Sequence, residues 1–191
     1  MINKGYLSTE IVEKLSQEFY KNNALPSVTL MEFFERKEFD RMISEISAIN
    51  FKVCRRRMEF SYKKSVLPES IKKVISNEFL KAYISSIIGK KIKKIEGEIR
   101  VFGWKDYTLI NDKTIEKPSV ELIIDFSVKM RNDCGGGIIY VDGTGEYSEI
   151  LSSHNSITLL NRKKGIQKFV KYVNHLAGKD NKIYFIGRII I

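Results

Sequence analysis

The chain has 191 residues, enough for one domain with a buried core, and a composition of 43% hydrophobic and 29% charged residues sets it apart from disordered chains. No apolar run reaches the roughly eighteen residues of a membrane-spanning helix, so no transmembrane helix is expected. The formal charge is +10 and is localised: between Lys52 and Lys94, ten lysines and three arginines face three glutamates, so this segment alone accounts for the whole excess.

Glu10, Glu13 and Glu18 interrupt the apolar pattern of Met1 to Tyr20, which predicts a helix and not a signal peptide. Ser8 and Thr9 sit where a cap belongs, and Ile11, Leu15 and Phe19 recur at steps of four. After Leu25-Pro26, Ser27 to Phe34 alternates as a strand, and Phe39, Met42, Ile43 and Ile46 form a helical stripe from Arg36 to Ile49. Phe51 to Tyr62 reads as one long strand with an arginine interruption. A third helix opens at Pro68, carries Ile71, Val74, Ile75, Phe79, Tyr83, Ile84 and Ile87 on its apolar face, and stops at Gly89.

Beyond Gly89 the periodicity turns strand-like. Lys91–Trp104, Tyr107–Ile110, Val120–Val128, Gly137–Asp142, Glu146–Leu151, Ser156–Asn161, Phe169–Val173 and Lys182–Ile191 are the predicted strands, with Asp142-Gly143-Thr144-Gly145 as a hairpin signal. About eight short strands after three helices predict an α+β, mainly β, architecture: a double-stranded β-helix (jelly-roll) barrel braced by helices. The expected organisation is a single domain over 1–191, with a helical layer and first strands in 1–89 and the barrel core in 90–191.

Cys54 and Cys134 lie far apart and read as two reduced thiols of a cytoplasmic protein. No CxxC or Cys/His cluster points to structural zinc. Gly135-Gly136-Gly137 lacks the helix and lysine of a phosphate-binding loop.

Several stretches fall in a telling order: Leu25-Pro-Ser-Val-Thr-Leu-Met-Glu-Phe-Phe34 before a helix, Asp106-Tyr-Thr-Leu-Ile-Asn-Asp112, Gly136-Gly-Ile-Ile-Tyr140, Asn155-Ser-Ile-Thr-Leu-Leu160, and the closing pair Lys168–Val173 and Lys182–Gly187. From Leu25 to Ile191 the chain thereby resembles the Fe(II)- and 2-oxoglutarate-dependent oxygenases of the prolyl-hydroxylase type. The resemblance implies iron held by two histidines and one carboxylate, with three positions open for 2-oxoglutarate and oxygen. Carried over residue by residue, the first histidine falls at Asn111, the carboxylate at Lys113 and the distal histidine at Lys168. A slip of one residue would make Asp112 the carboxylate, but His154 and His175 are the only histidines in the chain, and neither stands at a ligand position. The family scaffold is expected without its metal ligands.

Lys182 matches the cation that holds the far carboxylate of 2-oxoglutarate, and Tyr107 and Tyr140 are candidates to line the same anion site; the plainer reading is an edge lysine and two core aromatics. The basic segment supplies Arg55, Arg56, Arg57, Lys63, Lys64, Lys90, Lys91, Lys93 and Lys94, which would form one patch if their strands were neighbours. Phe60 and Tyr62 interleave with these charges as stacking or core residues.

The leading expectation is a non-catalytic, cofactor-free binding protein that contacts RNA or a ribonucleoprotein such as the ribosome through this surface, with no membrane partner. Two alternatives remain: an active hydroxylase using Fe(II) and 2-oxoglutarate at a non-standard site, and a structural subunit of a protein complex.

Overall fold

The computed structural model describes residues 1–21, 24–110, 118–128, 132–150 and 153–191. Its first half contains α1 (Thr9–Lys21), β1 (Ser27–Leu30), α2 (Arg36–Ser47), β2 (Lys52–Arg56), β3 (Phe60–Ser65), α3 (Glu69–Ser76) and α4 (Glu78–Ile88). The strands that follow are β4 (Lys94–Phe102), β5 (Tyr107–Thr108), β6 (Ser119–Asp125), β7 (Ile138–Val141), β8 (Tyr147–Glu149), β9 (Ser156–Arg162), β10 (Gln167–Val170) and β11 (Lys182–Ile190). Every pairing is antiparallel, in the order β1-β9-β6-β11-β4-β3-β5-β10-β7-β8, with β2 on β3. Because β3 pairs with both β4 and β5, the sheet folds over there and its two arms face each other.

Side chains alternate across a strand, and this sorts the core into two layers. Val120, Leu122 and Ile124 of β6, with Phe185 and Ile189 of β11, pack against the helices. Ile123, Tyr184 and Ile186 point the other way and meet Phe102, Ile138, Tyr140 and Val170 inside the barrel. The mainly β, helix-braced jelly roll expected from the sequence is the architecture observed.

The Ser8 hydroxyl accepts from the Ile11 N–H at 3.3 Å and starts α1. Gly89, at φ +64°, ends α4 in the left-handed conformation that glycine adopts without a side-chain penalty.

Two predicted elements are each divided. The expected strand Phe51–Tyr62 is a hairpin, β2–β3, turning through Arg57, Met58 (φ +60°) and Glu59. The expected third helix is two, α3 and α4, because Asn77 leaves helical geometry at ψ 125° and its side chain accepts from the Leu80 N–H at 3.2 Å, capping a new helix. The new helix turns Leu80 inward and leaves Phe79 exposed, against the expected apolar face.

Candidate functional site

In β6, Ser119, Glu121 and Ile123 share the face opposite to Val120 and Leu122, so Glu121 projects into the barrel. It is only 3% exposed. A carboxylate so buried needs counter-charge and hydrogen bonds, and three elements supply them. Arg162, the last residue of β9, places its Nε 2.6 Å from Glu121 Oε1. Lys168 of β10 reaches across from the opposite arm to place its Nζ 2.9 Å from Oε2. Tyr140 of β7, directly paired with Lys168, donates its hydroxyl to the same oxygen at 2.8 Å. Arg162 also donates to the Ser119 hydroxyl at 3.3 Å. Burial pushes the Glu121 carboxyl up, but Lys168 and then Arg162, by charge and hydrogen bond, outweigh it and hold the group below its ordinary value.

The cluster borders a cleft of about 480 Å³ whose rim adds Glu96, Glu98, Arg100 and Arg188. These charges are also matched: Arg100 lies 2.7 Å from Glu98, and Arg188 lies 3.9 Å from Glu96.

The sequence placed Lys168 at the distal ligand position. The structure turns it inward, yet its ammonium is engaged by Glu121, and a bound ammonium with an arginine beside it is not a donor set for iron. Asn111 and Lys113, and Asp112 with them, lie outside the described residues. His154 is elsewhere: its Nδ1 lies 3.0 Å from the Ser127 carbonyl and its ring stands edge-on to Phe39 of α2 at 4.7 Å. His175 opens a short 3-10 turn beyond β10 and is exposed. Among the described residues no three His, Cys, Asp or Glu side chains converge on a metal position.

The expected anion site is dispersed. Lys182 is buried at the start of β11, its stem crossing Gly136, where an added Cβ would stand 2.7 Å from Lys182 Cγ. Six residues along β11 separate it from Arg188, which pairs with Glu121, a span of about 20 Å along the strand. The buried Tyr184 and Ile186 side chains lie between. Tyr140 is committed to Glu121. Tyr107 faces out of the barrel, since its neighbour Thr108 pairs with the inward Val170. A single small dicarboxylate is therefore not offered all three residues.

The basic segment is likewise not one patch. The β2–β3 hairpin gathers Arg55, Arg56, Arg57, Lys63 and Lys64, with Arg56 paired to Glu59 at 3.0 Å and Lys64 to Glu98 at 3.1 Å. Lys90 and Lys91 follow α4, and Lys93 and Lys94 lead into β4. Lys63 pairs with Val101, seven residues from Lys94 on β4, which separates the two groups by about 23 Å. Phe60 and Tyr62 are not exposed stacking rings: Tyr62 packs on Phe102 at 5.7 Å with the Arg100 guanidinium 4.8 Å from its ring centre.

Sequence reasoning missed Glu121 and Arg162. The available signal was a pair of carboxylates, Glu121 and Asp125, inside the run Val120–Phe126, because a charge in a strand buried on both faces demands partners.

No protein-family model and no curated protein matches the sequence. Solved structures do match in fold. A Pseudomonas putida prolyl-4-hydroxylase superposes with a TM-score of 0.69 at 9% identity, covering 92% of this chain and 97% of that one. A prolyl hydroxylase from Trichoplax adhaerens, solved with a hypoxia inducible factor oxygen degradation domain peptide fragment, gives 0.72 at 12% identity, covering 98% and 93%. An oxidoreductase of the 2OG-Fe(II) oxygenase family from Burkholderia pseudomallei gives 0.70 at 8% identity, covering 99% and 93%. The fold is that of the 2-oxoglutarate oxygenases, as the resemblance implied; likeness at such identities speaks for the fold alone.

Proposed function

We propose that this chain is a non-catalytic protein built on the oxygenase fold, a pseudoenzyme that binds RNA or a ribonucleoprotein through its basic surface. The observation that carries the first half is the Lys168–Glu121–Arg162 cluster. Where the resemblance assigns a neutral imidazole, a lysine ammonium is locked to a buried carboxylate. Iron would have to displace a 2.9 Å ion pair and tolerate the freed cation beside it. The chain's two histidines are held or exposed elsewhere.

The second half rests on charge. The β2–β3 hairpin carries Lys52, Arg55, Arg56, Arg57, Lys63 and Lys64 against Glu59 on two adjacent strands, and its edge strand β2 is exposed along nearly its whole length. Arginines present a planar fork that suits phosphate. The exposed ion pairs on this hairpin are worth little in water and open readily to a polyanion.

Anaerobic titration with Fe(II) in the presence of 2-oxoglutarate tests the first half: neither a visible charge-transfer band nor retained metal is expected, and a band saturating at stoichiometric iron refutes it. Anisotropy of labelled RNA against salt tests the second: affinity should fall steeply as salt rises. No association even at low salt removes the partner.

A further inference from the structure

On the outside of the barrel a second surface combines aromatic rings with cations. The turn between β4 and β5 presents Trp104, 53% exposed, with the Lys105 ammonium 4.3 Å from its ring centre. The turn is fastened to the segment that follows β10: Lys105 N–H donates to the Val173 carbonyl, and Val173 N–H donates to the Asp106 carbonyl, each at 2.9 Å. That places Tyr172, 49% exposed, beside Tyr107, with ring centres 6.2 Å apart.

The same outer face carries cations from neighbouring strands. Arg55 pairs with Ser61, and Ser61 with Tyr107, so all three lie in one row across β2, β3 and β5. Beyond Tyr107, Val170 pairs with the inward Thr108, and the residue that follows the end of β10, Lys171, is exposed. Arg55, Lys105 and Lys171 are exposed. Asp106, the carboxylate at the centre of this face, does not oppose them at the surface. It is buried, accepting from the Ser61 hydroxyl at 2.6 Å and from the Gly103 N–H at 3.0 Å. Arg55 in turn donates to the Ser61 hydroxyl at 3.3 Å, which fixes one cation over the row.

Two exposed rings, Trp104 and Tyr172, with the half-buried Tyr107 beside them and cations on the same side, have the chemistry of a stacking platform. Bases have faces to stack on tryptophan and tyrosine, and the phosphates between them meet lysine and arginine. A duplex hides its base faces and offers only the phosphates.

We infer that this face, with Trp104, Tyr107 and Tyr172 as the rings and Arg55, Lys105 and Lys171 as the cations, binds single-stranded RNA by base stacking. The inference rests on the RNA-binding reading above and gives it a strand state and a location that shares only Arg55 with the basic hairpin.

The test uses the full chain and a fluorescein-labelled oligouridine of about twelve nucleotides, a length within the site sizes of single-strand grooves, beside the same length as a duplex. Single-strand binding should be tighter than duplex binding at equal salt. Trp104→Ala and Tyr172→Ala should each weaken it about five-fold or more and leave the salt slope unchanged, since neither ring meets a phosphate. Lys105→Gln with Lys171→Gln should instead flatten the slope of log affinity against log salt by about 1.4, near 0.7 per lost contact to a single strand. Circular dichroism and Tm of the ring variants should match the parent, because both rings are surface residues. If the oligonucleotide binds but the ring substitutions do nothing, or duplex binds equally well, the stacking face is refuted while the basic-surface reading stands. Loss of binding confined to Arg57→Gln with Lys63→Gln would return the site to the hairpin. No binding of either form at low salt refutes both.

Discussion

Glu121→Gln separates charge from shape at the centre of the barrel. The amide keeps the volume and still accepts a hydrogen bond, but Arg162 and Lys168, whose side chains are 5% and 13% exposed, lose their counter-charge. Removing one partner from a buried pair leaves an uncompensated charge and costs about 3–5 kcal/mol, which for a chain of this length lowers Tm by about 6–20 °C. The loss should depend on pH in a defined direction. The Glu121 carboxyl is held below its ordinary value, so its contribution is fully present above the unfolded-state pKa of about 4.3 and disappears as pH falls through the folded-state value. Thermal and urea unfolding of parent and variant should therefore differ by a constant amount near neutrality and converge below about pH 4.3. Adding Lys168→Met to Glu121→Gln should recover part of the loss, because one stranded ammonium is gone; the double-mutant cycle isolates that coupling. A variant within about 2 °C of the parent at neutral pH, less than about 1 kcal/mol, would refute the view that this cluster holds the two arms together. So would a gap that stays undiminished in acid.

Gly136→Ala should destabilise by about 1–3 kcal/mol, since the position sits at φ +78° and the new methyl meets the Lys182 stem; a Tm unchanged from the parent would mean that Lys182 does not cross there. Asn77→Ala should cost about 1 kcal/mol by removing the cap of α4, read as a lowered urea midpoint with the slope unchanged. If the divided helix were continuous, the same alanine would instead stabilise it.

Much of the scaffold is legible from residue spacing. The eight strands after Gly89 are visible because a strand buried on one or both faces must alternate or run apolar, and Asp142–Gly145 and Gly89 mark chain reversals by their backbone chemistry. Where the pattern misleads, it does so for a physical reason. The period-two pattern is interrupted at Arg55, Arg56 and Arg57 and resumes out of phase at Met58, Phe60 and Tyr62, a break that fits a bulge as well as the turn that Met58 makes. The apolar stripe likewise runs across Asn77, and only the register change that buries Leu80 and exposes Phe79 reveals the second helix. Tyr107 and Lys182 looked like neighbours of one cavity because a strand assignment does not say which face belongs to which layer.

The sequence by itself determined where most of the strands fall along the chain, the jelly-roll class, the shortage of histidines and the localised positive charge, all of which depend on composition and local period. Only the tertiary structure decided that Glu121 closes the barrel, because its two cations lie 41 and 47 residues further along the chain. Such a pairing leaves no local periodic trace; it exists only once folding removes the carboxylate from water and makes nearby cations obligatory.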